Sequence, residues 1–421
     1  MDTITHNTQL IIVGAGAAGL MAAITARELG LPVVLLERKH QPGRKLLMCG
    51  NNRCNLTHHE PLPELLAHYG HPVGPFLEPA LTALPPATLC EWFETRGLRL
   101  VTHKDRRVFP HSEKAADVLH FFTDRLRAGN IPIVLNCPAV SVAPTAAGLA
   151  VETTDMRLTA RYVLLATGGV SYPKTGSVGD GQRFAKDCGH RVLPYRPGLA
   201  GFDLAEPWLT PRRDAPLPGA HLTVLAGGKR VAETHGEILF TNRGAYGPAM
   251  VDASRAVARL ELRDYTFEID TCPQFASDQV AGQLLRRAGK HPEFPLVKIL
   301  ADWLLPETIA APFARHILNT MPNDRLHGDD TDRAMAIADA LKHWGLKPLK
   351  PRPLKEAMVT VGGVALDGVD PASMQSRHCP GLYLAGEVLD IDGPTGGFNL
   401  QAAFATAQLA ARSIAEQVRT S

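Results

Sequence analysis

The alternation of apolar and polar stretches in the first forty residues predicts a strand, a helix and a second strand. Residues 10–13 (LIIV) form an apolar run typical of buried parallel strands, and residues 33–36 (VVLL) form another. Residues 20–29 between them contain no Gly or Pro and predict a helix. The glycine-rich turn GAGAAG at 14–19 joins the first strand to this helix. The pattern therefore predicts a βαβ unit.

The spacing of glycines in this turn suggests a chemical role. Gly14 permits a tight turn, Gly16 allows close approach to a pyrophosphate, and Gly19 lets the helix pack on the strand. Glu37, which ends the second strand, can accept hydrogen bonds from ribose hydroxyls. GxGxxG alone is weak evidence, since a plain strand-to-helix turn can carry it. Here the motif joins a strand to a helix, and a second strand that ends in an acidic residue follows. In that context it predicts an adenine-dinucleotide site.

The loop at 43–57 (GRKLLMCGNNRCNLT) follows Glu37 closely and carries three cations, three Asn and two Cys. A solvated basic loop is the alternative interpretation. Its position after the second strand favours pyrophosphate contacts and a close backbone approach to a ring.

Three later stretches are expected to return the chain to the same cofactor. An apolar strand at 163–165 breaks into Ala-Thr-Gly-Gly, and the glycine-rich segment 171–181 follows it. Residues 393–400 (GPTGGFNL) precede a long Ala-rich helix. The N-terminus of that helix can direct its dipole at the pyrimidine end of an isoalloxazine ring, so the dinucleotide should be FAD.

The segment from about 192 to 347 predicts short strands and several helices but has no second strand–GxGxxG–helix unit. A nicotinamide cofactor would therefore have no Rossmann site of its own. The glycine-rich polar loop 241–248 could face a substrate. Residues 346–355 alternate cations with prolines and predict an extended linker, with a basic patch for RNA phosphates as the alternative.

Composition adds few constraints. The 421 residues are 45% hydrophobic and carry a net charge of +2, which neither demands nor excludes a nucleic-acid partner. Seven cysteines lack CxxC or zinc spacing, so we expect a reduced, cytoplasmic protein without a metal. The sequence shows no run of 18 uncharged apolar residues, and its first nine residues are polar, so no membrane partner is expected.

Four stretches together resemble a known family, the BaiN/RdsA-type (YhiN-like) bacterial NAD(P)/FAD-dependent oxidoreductases of the glutathione-reductase superfamily. They are GRKLLMCGNNRCNLTH, RRVFP, ATGGVSYPKTGS and GEVLDIDGPTGGFNLQAA. The family usually reads SGNGRCN where this chain has CGNNRCN at 49–55. Its TH.G.SGP segment is replaced here by TNRGAYGP at 241–248. These departures indicate a divergent branch.

The resemblance implies an α/β fold with a Rossmann-type FAD-binding domain of the three-layer ββα kind, formed by residues 1–190 and 355–421. It also implies an inserted β-barrel substrate domain at 191–272 and 325–354, with a helical subdomain at 273–324.

The motifs and the resemblance together predict that noncovalent FAD is held by residues of the glycine-rich and polar loops. Glu37 would hold the adenosine ribose, and Glu387 would lie at the ribityl and pyrophosphate region. The full predicted set is Val13, Gly14, Gly16, Ala17, Ala18, Gly19, Glu37, Arg38, Lys39, Gly43, Arg44, Lys45, Asn51, Cys54, Asn55, Ala166, Thr167, Gly168, Gly169, Gly386, Glu387, Asp392, Gly396, Gly397, Phe398, Asn399 and Leu400.

The resemblance further implies NAD(P)H-driven reduction of an activated C=C bond, with a uridine of 23S rRNA as the preferred substrate and dihydrouridine as product. The alternatives are reduction of a small enone, oxidation of a small amine or amino ketone by O₂, and a non-catalytic flavin-holding RNA-binding or ribosome-assembly factor.

Reduction of the C=C bond needs a proton donor. Cys54 is the first hypothesis, because the positive charge of the adjacent Arg53 should lower a thiol pKa. The alternative is that Cys54 is a buried packing residue. Tyr172, His111 and His58 are rival donors in neighbouring loops.

Overall fold

The computed structural model describes residues 8–209 and 213–420. The chain forms two compact units. Residues 1–196 and 354–421 make up the first, and residues 197–353 make up the second.

The described residues contain twelve α-helices, five in the second unit and seven in the first. They are α1 Ala17–Glu28, α2 Leu62–Tyr69, α3 Val73–Ala83, α4 Pro86–Glu94, α5 Ala115–Ala128, α6 Asp180–Asp187, α7 Pro248–Arg259, α8 Ser277–Lys290, α9 Leu296–Ala301, α10 Glu307–His316, α11 Thr331–Lys342 and α12 Phe398–Thr420.

Twenty β-strands accompany the helices in the described ranges. They are β1 Leu10–Val13, β2 Val33–Leu36, β3 Thr57–His58, β4 Leu100–Thr102, β5 Arg107–Pro110, β6 Ile133–Val134, β7 Ala139–Thr145, β8 Gly148–Thr153, β9 Arg157–Ala160, β10 Tyr162–Leu165, β11 Arg196–Gly198, β12 Phe202–Leu204, β13 Ala215–Ala226, β14 Lys229–Thr241, β15 Gly244–Tyr246, β16 Thr266–Asp270, β17 Trp344–Leu346, β18 Pro348–Pro351, β19 Val359–Val361 and β20 Leu382–Leu384.

The first unit is built on a parallel sheet with the strand order β20-β10-β1-β2-β6. Central strand β1 pairs in register with both neighbours, so that Leu10 lies between Tyr162 and Val33. Every residue of β1, β2 and β10 is buried. Burial on both faces explains why these strands read as continuous apolar runs rather than as an alternating pattern.

Helices and a second sheet cover the parallel sheet. The strands β7, β8 and β9 form an antiparallel sheet in sequence order. Helix α12 packs against α1 and α3. Its buried positions include Ala402, Ala405, Ala407 and Ala410, whose small side chains permit a close approach between helices. These layers confirm the predicted α/β Rossmann-type class.

The second unit contains an antiparallel sheet with the order β17-β16-β13-β14-β15-β12-β18. The long hairpin β13–β14 forms its centre, and the buried Trp344 of β17 stacks near Phe240 at 5.4 Å between ring centroids. Residues 346–355, predicted as a linker, instead place β18 at one edge of the sheet. An edge position tolerates the two prolines of β18, because edge strands leave N–H groups unpaired.

One helix of the second unit was missed by the sequence pattern. Helix α7 begins at Pro248, at the end of the stretch 241–248 that we predicted as a polar loop. Residues Gly244–Tyr246 of that stretch form strand β15 and pair with β14. Over 8–209 and 213–420, no helix has both the length and the apolar character needed to cross a membrane.

Candidate cofactor site

A deep cleft lies along the carboxyl ends of β1, β2 and β10 in the first unit. Its volume, including the open mouth, is about 1310 Å³. Seventeen of the residues predicted to bind the cofactor line it: Val13, Gly14, Gly16, Ala17, Ala18, Glu37, Arg38, Gly43, Arg44, Lys45, Ala166, Thr167, Gly168, Gly386, Glu387, Asn399 and Leu400.

Two glycines of the β1–α1 turn are required by packing within the protein. Gly14 has φ +104°, and a Cβ there would lie 2.6 Å from the carbonyl oxygen of Ala166. A Cβ on Gly19 would lie 1.8 Å from the carbonyl oxygen of Gly14. No side chain fits at either place, so both glycines maintain contact between turn, helix and neighbouring strand.

Gly16 differs from these two glycines. A Cβ built on it meets no described protein atom within 4 Å, and its φ of −81° is open to any residue. Gly16 is the N-cap of α1, makes no side-chain cap, and the first turn of α1 contains no acidic residue. The helix therefore presents uncapped N–H groups and free space to the cleft, which is the arrangement that suits a phosphate.

Glu37 is fixed by backbone donors. Its Oε2 accepts a hydrogen bond from the Ala15 N–H at 3.0 Å, and its Oε1 accepts one from the Lys39 N–H at 2.8 Å. Burial raises the pKa of the Glu37 carboxyl above its usual value, and the two backbone donors act in the opposite direction. The carboxyl is thus held at the rim of the cleft, directly after β2.

The loop before α6 closes the cleft near Glu37. Arg38 forms an ion pair with Asp180 at 2.5 Å between Nη1 and Oδ2. Gly176 has φ +118°, and a Cβ there would lie 3.3 Å from Cδ of Arg38. The glycine-rich segment 171–181 therefore packs over the arginine side chain, and five of its residues line the cleft: Thr175, Gly176, Ser177, Val178 and Asp180.

Arg44 is a cation of the cleft wall that has no carboxylate partner among the described residues. Its Nη1 lies 3.5 Å from Nδ1 of His40. Arg38 and Lys45, in contrast, are both paired with carboxylates. Arg44 can therefore offer its guanidinium to an anion without breaking an ion pair.

Lys45 and Glu387, which line the cleft, belong to a polar network. Lys45 Nζ donates to Glu387 Oε2 at 2.5 Å and to Ser171 Oγ at 2.6 Å. The other carboxylate oxygen, Oε1 of Glu387, accepts from the Thr360 N–H at 2.8 Å. Thr360 Oγ1 in turn accepts from the N–H groups of Val170 and Ser171. Four separate chain segments are joined by this network.

The N-terminus of α12 reaches the cleft through Asn399 and Leu400. The Asn399 side chain accepts from the Gly393 N–H and donates to the Gly393 carbonyl, both at 2.9 Å. These bonds fix the turn that precedes the helix. The first turn of α12 contains no acidic residue.

Ten predicted cofactor residues lie outside the lining of the cleft: Gly19, Lys39, Asn51, Cys54, Asn55, Gly169, Asp392, Gly396, Gly397 and Phe398. Several have a packing role that their motif position does not reveal. A Cβ on Gly169 would lie 2.4 Å from Thr360 Oγ1, and one on Gly397 would lie 2.6 Å from the carbonyl carbon of Thr57. The Phe398 ring is buried and stacks on His58 at 5.0 Å.

The surroundings of Cys54 differ from those predicted. The cysteine is fully buried, and burial raises its pKa well above the usual thiol value. Arg53 does not lower it, because its guanidinium lies 3.3 Å from Glu113 and over the Phe109 ring. The predicted direction of the pKa shift was therefore wrong. Tyr172, with φ +49°, and the exposed His111 also lie outside the lining.

Other lining residues were absent from the predicted set. Cys137, Ala139 and Phe184 lie near the Glu37 end in sequence-distant segments, and Cys49 lies in the loop 43–57. Cys49 could have been found, since it belongs to the same motif as Arg44 and Lys45. The remaining lining residues are Ala15, Leu36, Gln41, Leu46, Met358, Val359, Ala385, Ile391, Ala402 and Ala403.

Known proteins are similar to this chain in sequence over almost its whole length. It is 30% identical over 415 residues to the 3-dehydro-bile acid delta(4,6)-reductase of Clostridium scindens, covering 96% of this chain and 98% of the relative. It is 28% identical over 405 residues to the ribosomal RNA dihydrouridine synthase of Escherichia coli, covering 96% and 97% respectively.

The fold is also shared with solved structures. The 3-ketosteroid-Δ4-(5α)-dehydrogenase of Rhodococcus jostii matches with a TM-score of 0.53 at 14% identity, covering 98% of each chain. A 3-ketosteroid Δ1-dehydrogenase of Sterolibacterium denitrificans gives a TM-score of 0.51 at 15% identity, covering 98% of this chain and 100% of that one.

The HI0933-like protein Rossmann domain matches residues 8–413. This match covers both compact units and every segment that lines the cleft. The chain therefore belongs to the HI0933-like Rossmann family and is an oxidoreductase with the FAD-binding Rossmann fold.

Proposed function

We propose that this protein is an FAD-dependent reductase that uses NAD(P)H to saturate an activated C=C bond. The observation that carries the proposal is the open space at Gly16. Every other glycine of the β1–α1 turn is required by protein contacts, whereas the space beside Gly16 is left for a ligand.

The cleft suits FAD in three respects. Uncapped N–H groups at the start of α1 can hold a pyrophosphate, together with the guanidinium of Arg44, which has no carboxylate partner in the described part of the chain. The carboxyl of Glu37 lies where a ribose hydroxyl can donate to it. At the other end, the N-terminus of α12 places a positive dipole toward Asn399 and Leu400, which favours negative charge on a reduced flavin ring.

FAD in this position would supply hydride to the substrate. The protein's task is then to bind the acceptor, exclude water and protonate the carbon next to the one that receives hydride. The β carbon of an enone-like bond accepts hydride, and the resulting enolate of the substrate takes a proton on its α carbon. In uracil, these are C6 and C5.

Cys54 stays our proposed proton donor, with Tyr172 and then His111 as rivals. Burial raises the pKa of the Cys54 thiol, which preserves the hydrogen that a general acid donates. Its complete burial means that the loop 49–55 must open to expose it. Catalytic contacts often tighten only when substrate binds, so geometry without substrate does not remove a candidate.

We propose a uridine of large-subunit rRNA as the substrate. Support comes from the names of two relatives, the ribosomal RNA dihydrouridine synthases of Escherichia coli and Haemophilus influenzae, at 28% and 27% identity. The relative that acts on a bile acid has a steroid substrate but is also called a reductase. Both names fit hydride addition to an electron-poor C=C bond.

We propose that NAD(P)H binds weakly and leaves before the substrate is reduced, because the sequence has no second dinucleotide motif. Stopped-flow bleaching of the flavin should then saturate only at high nicotinamide concentration. Tight stoichiometric binding of NAD(P)H to the oxidised protein would contradict this order of events.

A direct experiment begins with the purified protein. It should be yellow, and denaturation should release FAD into the supernatant. FMN there, or colour that stays with the precipitate, would contradict the proposal. Protein reduced anaerobically should then be reoxidised by uracil-containing rRNA far faster than by O₂. Reoxidation by a small enone alone would move the substrate to that class, and rapid reoxidation by O₂ alone would make the protein an oxidase.

A further inference from the structure

The loop 43–57 contains two cysteines, Cys49 and Cys54, that the proposed reduction does not use as a pair. Both are free thiols in this structure. Cys49 lines the cofactor cleft, whereas Cys54 is outside the lining and is fully buried.

The backbone of the loop holds the two cysteines close together. The N–H of Cys54 donates to the carbonyl oxygen of Cys49 at 2.9 Å. The path from one Cα through this C=O···H–N contact to the other Cα cannot exceed about 6.8 Å. Disulfide-bonded cysteines have Cα atoms roughly 4.4–6.8 Å apart. The Cα atoms of the pair therefore lie within the range that a disulfide spans.

The loop is shaped for this close approach. Gly50, Asn51, Asn52 and Cys54 all have positive φ values, between 56° and 64°. A Cβ on Gly50 would lie 3.0 Å from the backbone nitrogen of Asn55. The chain thus turns back on itself between the two sulfurs, and Gly50 leaves room for the turn.

The surroundings distinguish the two sulfurs. Cys49 Sγ donates to the Lys45 carbonyl at 3.4 Å, next to the Lys45–Glu387 ion pair. Burial raises the pKa of the Cys49 thiol to about 11, and the Lys45 ammonium opposes that rise. Cys54 has no such cation, and burial together with Cys49 raises its pKa. Cys49 is therefore the sulfur that faces the cleft and lies beside a cation.

We infer that Cys49 and Cys54 form a second redox centre, a dithiol–disulfide pair that exchanges two electrons with the bound flavin. The inference rests on the proposed occupancy of the cleft by FAD. In the oxidising direction, both S–H bonds break and one S–S bond forms. Two electrons and two protons pass to oxidised FAD, which becomes the dihydroflavin. In the reverse direction, dihydroflavin cleaves the disulfide and restores both thiols.

Closure of the pair has a consequence for the proposed reaction. A disulfide removes the acidic hydrogen of Cys54, so the oxidised pair and the proposed proton donor exclude one another. Electrons from NAD(P)H must then open the pair before the substrate can be protonated.

Peptide mapping of the flavin-loaded protein tests whether the pair closes. The Cys90→Ser background is used, because Cys90 shares a tryptic peptide with Cys54. After treatment with the thiol oxidant diamide, acid quenching and alkylation, peptides 46–53 and 54–96 should remain joined until a reductant is added. With Cys49→Ser added, they should separate. Separate peptides with both cysteines alkylated in the background protein would overturn the inference.

Anaerobic titration with dithionite tests the exchange with flavin. The oxidised background protein should take up about four electrons per flavin, two for the flavin and two for the disulfide. Adding the Cys49→Ser substitution should reduce the uptake to about two electrons per flavin, a twofold change. An uptake of two electrons in both proteins would contradict flavin-coupled exchange. Neither the peptide map nor the dithionite titration depends on rRNA reduction. If the pair closes but rRNA is not reduced, the proposed substrate is contradicted and the inference about the pair is not.

Discussion

The two walls of the cleft are built in different ways. The wall formed by the β1–α1 turn consists of backbone, with Gly14 and Gly19 packed against other main-chain atoms and Glu37 held by two N–H groups. The second wall, with Lys45 and Glu387, is a network of charged and hydroxyl side chains from four segments. The first wall therefore depends on the fold itself, whereas the second can change without loss of the fold.

The largest effect is expected at Gly19. A Cβ there would overlap the Gly14 carbonyl, so Gly19→Ala must displace α1 from the sheet. We expect a loss of about 3 kcal/mol or more in the free energy of unfolding. Gly282→Ala is the matched control, since its Cβ meets nothing within 4 Å in the exposed face of α8. Thermal denaturation measures the stability of both variants. An equal loss of stability in Gly19→Ala and Gly282→Ala would contradict the role of Gly19 in packing.

The second prediction concerns Cys54, which is outside the lining of the cleft. Cys54→Ala should leave flavin reduction by NAD(P)H intact while transfer to substrate falls about 10²–10⁴-fold, the usual weight of general acid catalysis. Cys90→Ala should change neither step. Both half-reactions are followed by stopped-flow absorbance of the flavin. Equal losses in both would indicate damaged flavin binding, and no loss in either would return Cys54 to a packing role and make Tyr172 the leading donor.

The third prediction separates fold from ligand within the backbone wall. Gly16→Val places its side chain in open space, so the stability of the FAD-free protein should fall by no more than about 1 kcal/mol, the usual cost of a poorer N-cap residue. FAD affinity should fall at least tenfold, equivalent to about 1.4 kcal/mol, because the side chain occupies the proposed pyrophosphate site. Fluorescence titration with FAD measures the change. Unaltered affinity would show that no ligand approaches Gly16.

The side-chain wall should give a smaller effect. Lys45→Met and Glu387→Gln each remove half of an ion pair whose members are about one-fifth exposed. A double-mutant cycle should yield a coupling of about 1 kcal/mol, because solvent partly screens the pair. Chemical denaturation of the FAD-free variants supplies the four stabilities. A coupling near zero would show that Lys45 and Glu387 contribute independently.

The last prediction concerns a residue away from both walls, His190. Its Nε2 is 2.7 Å from Ser376 Oγ, and burial lowers the pKa of its ring to about 4. The unfolded chain then binds the proton more readily, so the stability contributed by neutral His190 is present above pH 6.5 and is lost as pH falls toward 4. The expected loss is on the order of 1–2 kcal/mol. His190→Asn should flatten this part of the stability–pH curve. An unchanged slope would contradict the assignment.

Much of the fold could be predicted because local signals and tertiary structure agree. The runs at 10–13 and 33–36 are apolar because they form the buried strands β1 and β2. The family resemblance and the Rossmann class are both confirmed. Helix α7 was missed because Gly244, Gly247 and Pro248 indicate a turn, although Pro also commonly begins a helix.

The cleft was harder to predict residue by residue. The motifs locate Gly14, Gly16 and Gly19 together, but only contacts in the folded chain show that Gly16 alone faces open space. Cys137 and Met358 line the cleft through β-strand pairing and loop packing that no local pattern encodes. The direction of the Cys54 pKa shift failed for the same reason, since Arg53 turns toward Glu113.

The proposed function requires that the cleft holds FAD and that a uracil ring of rRNA receives hydride from it. Nucleoside mass spectrometry of large-subunit rRNA, from cells with and without this protein, tests it most directly. Dihydrouridine should be present with the protein, absent without it, and restored by the wild-type chain but not by Gly16→Val. Equal amounts of dihydrouridine in both cell types would contradict the proposed function.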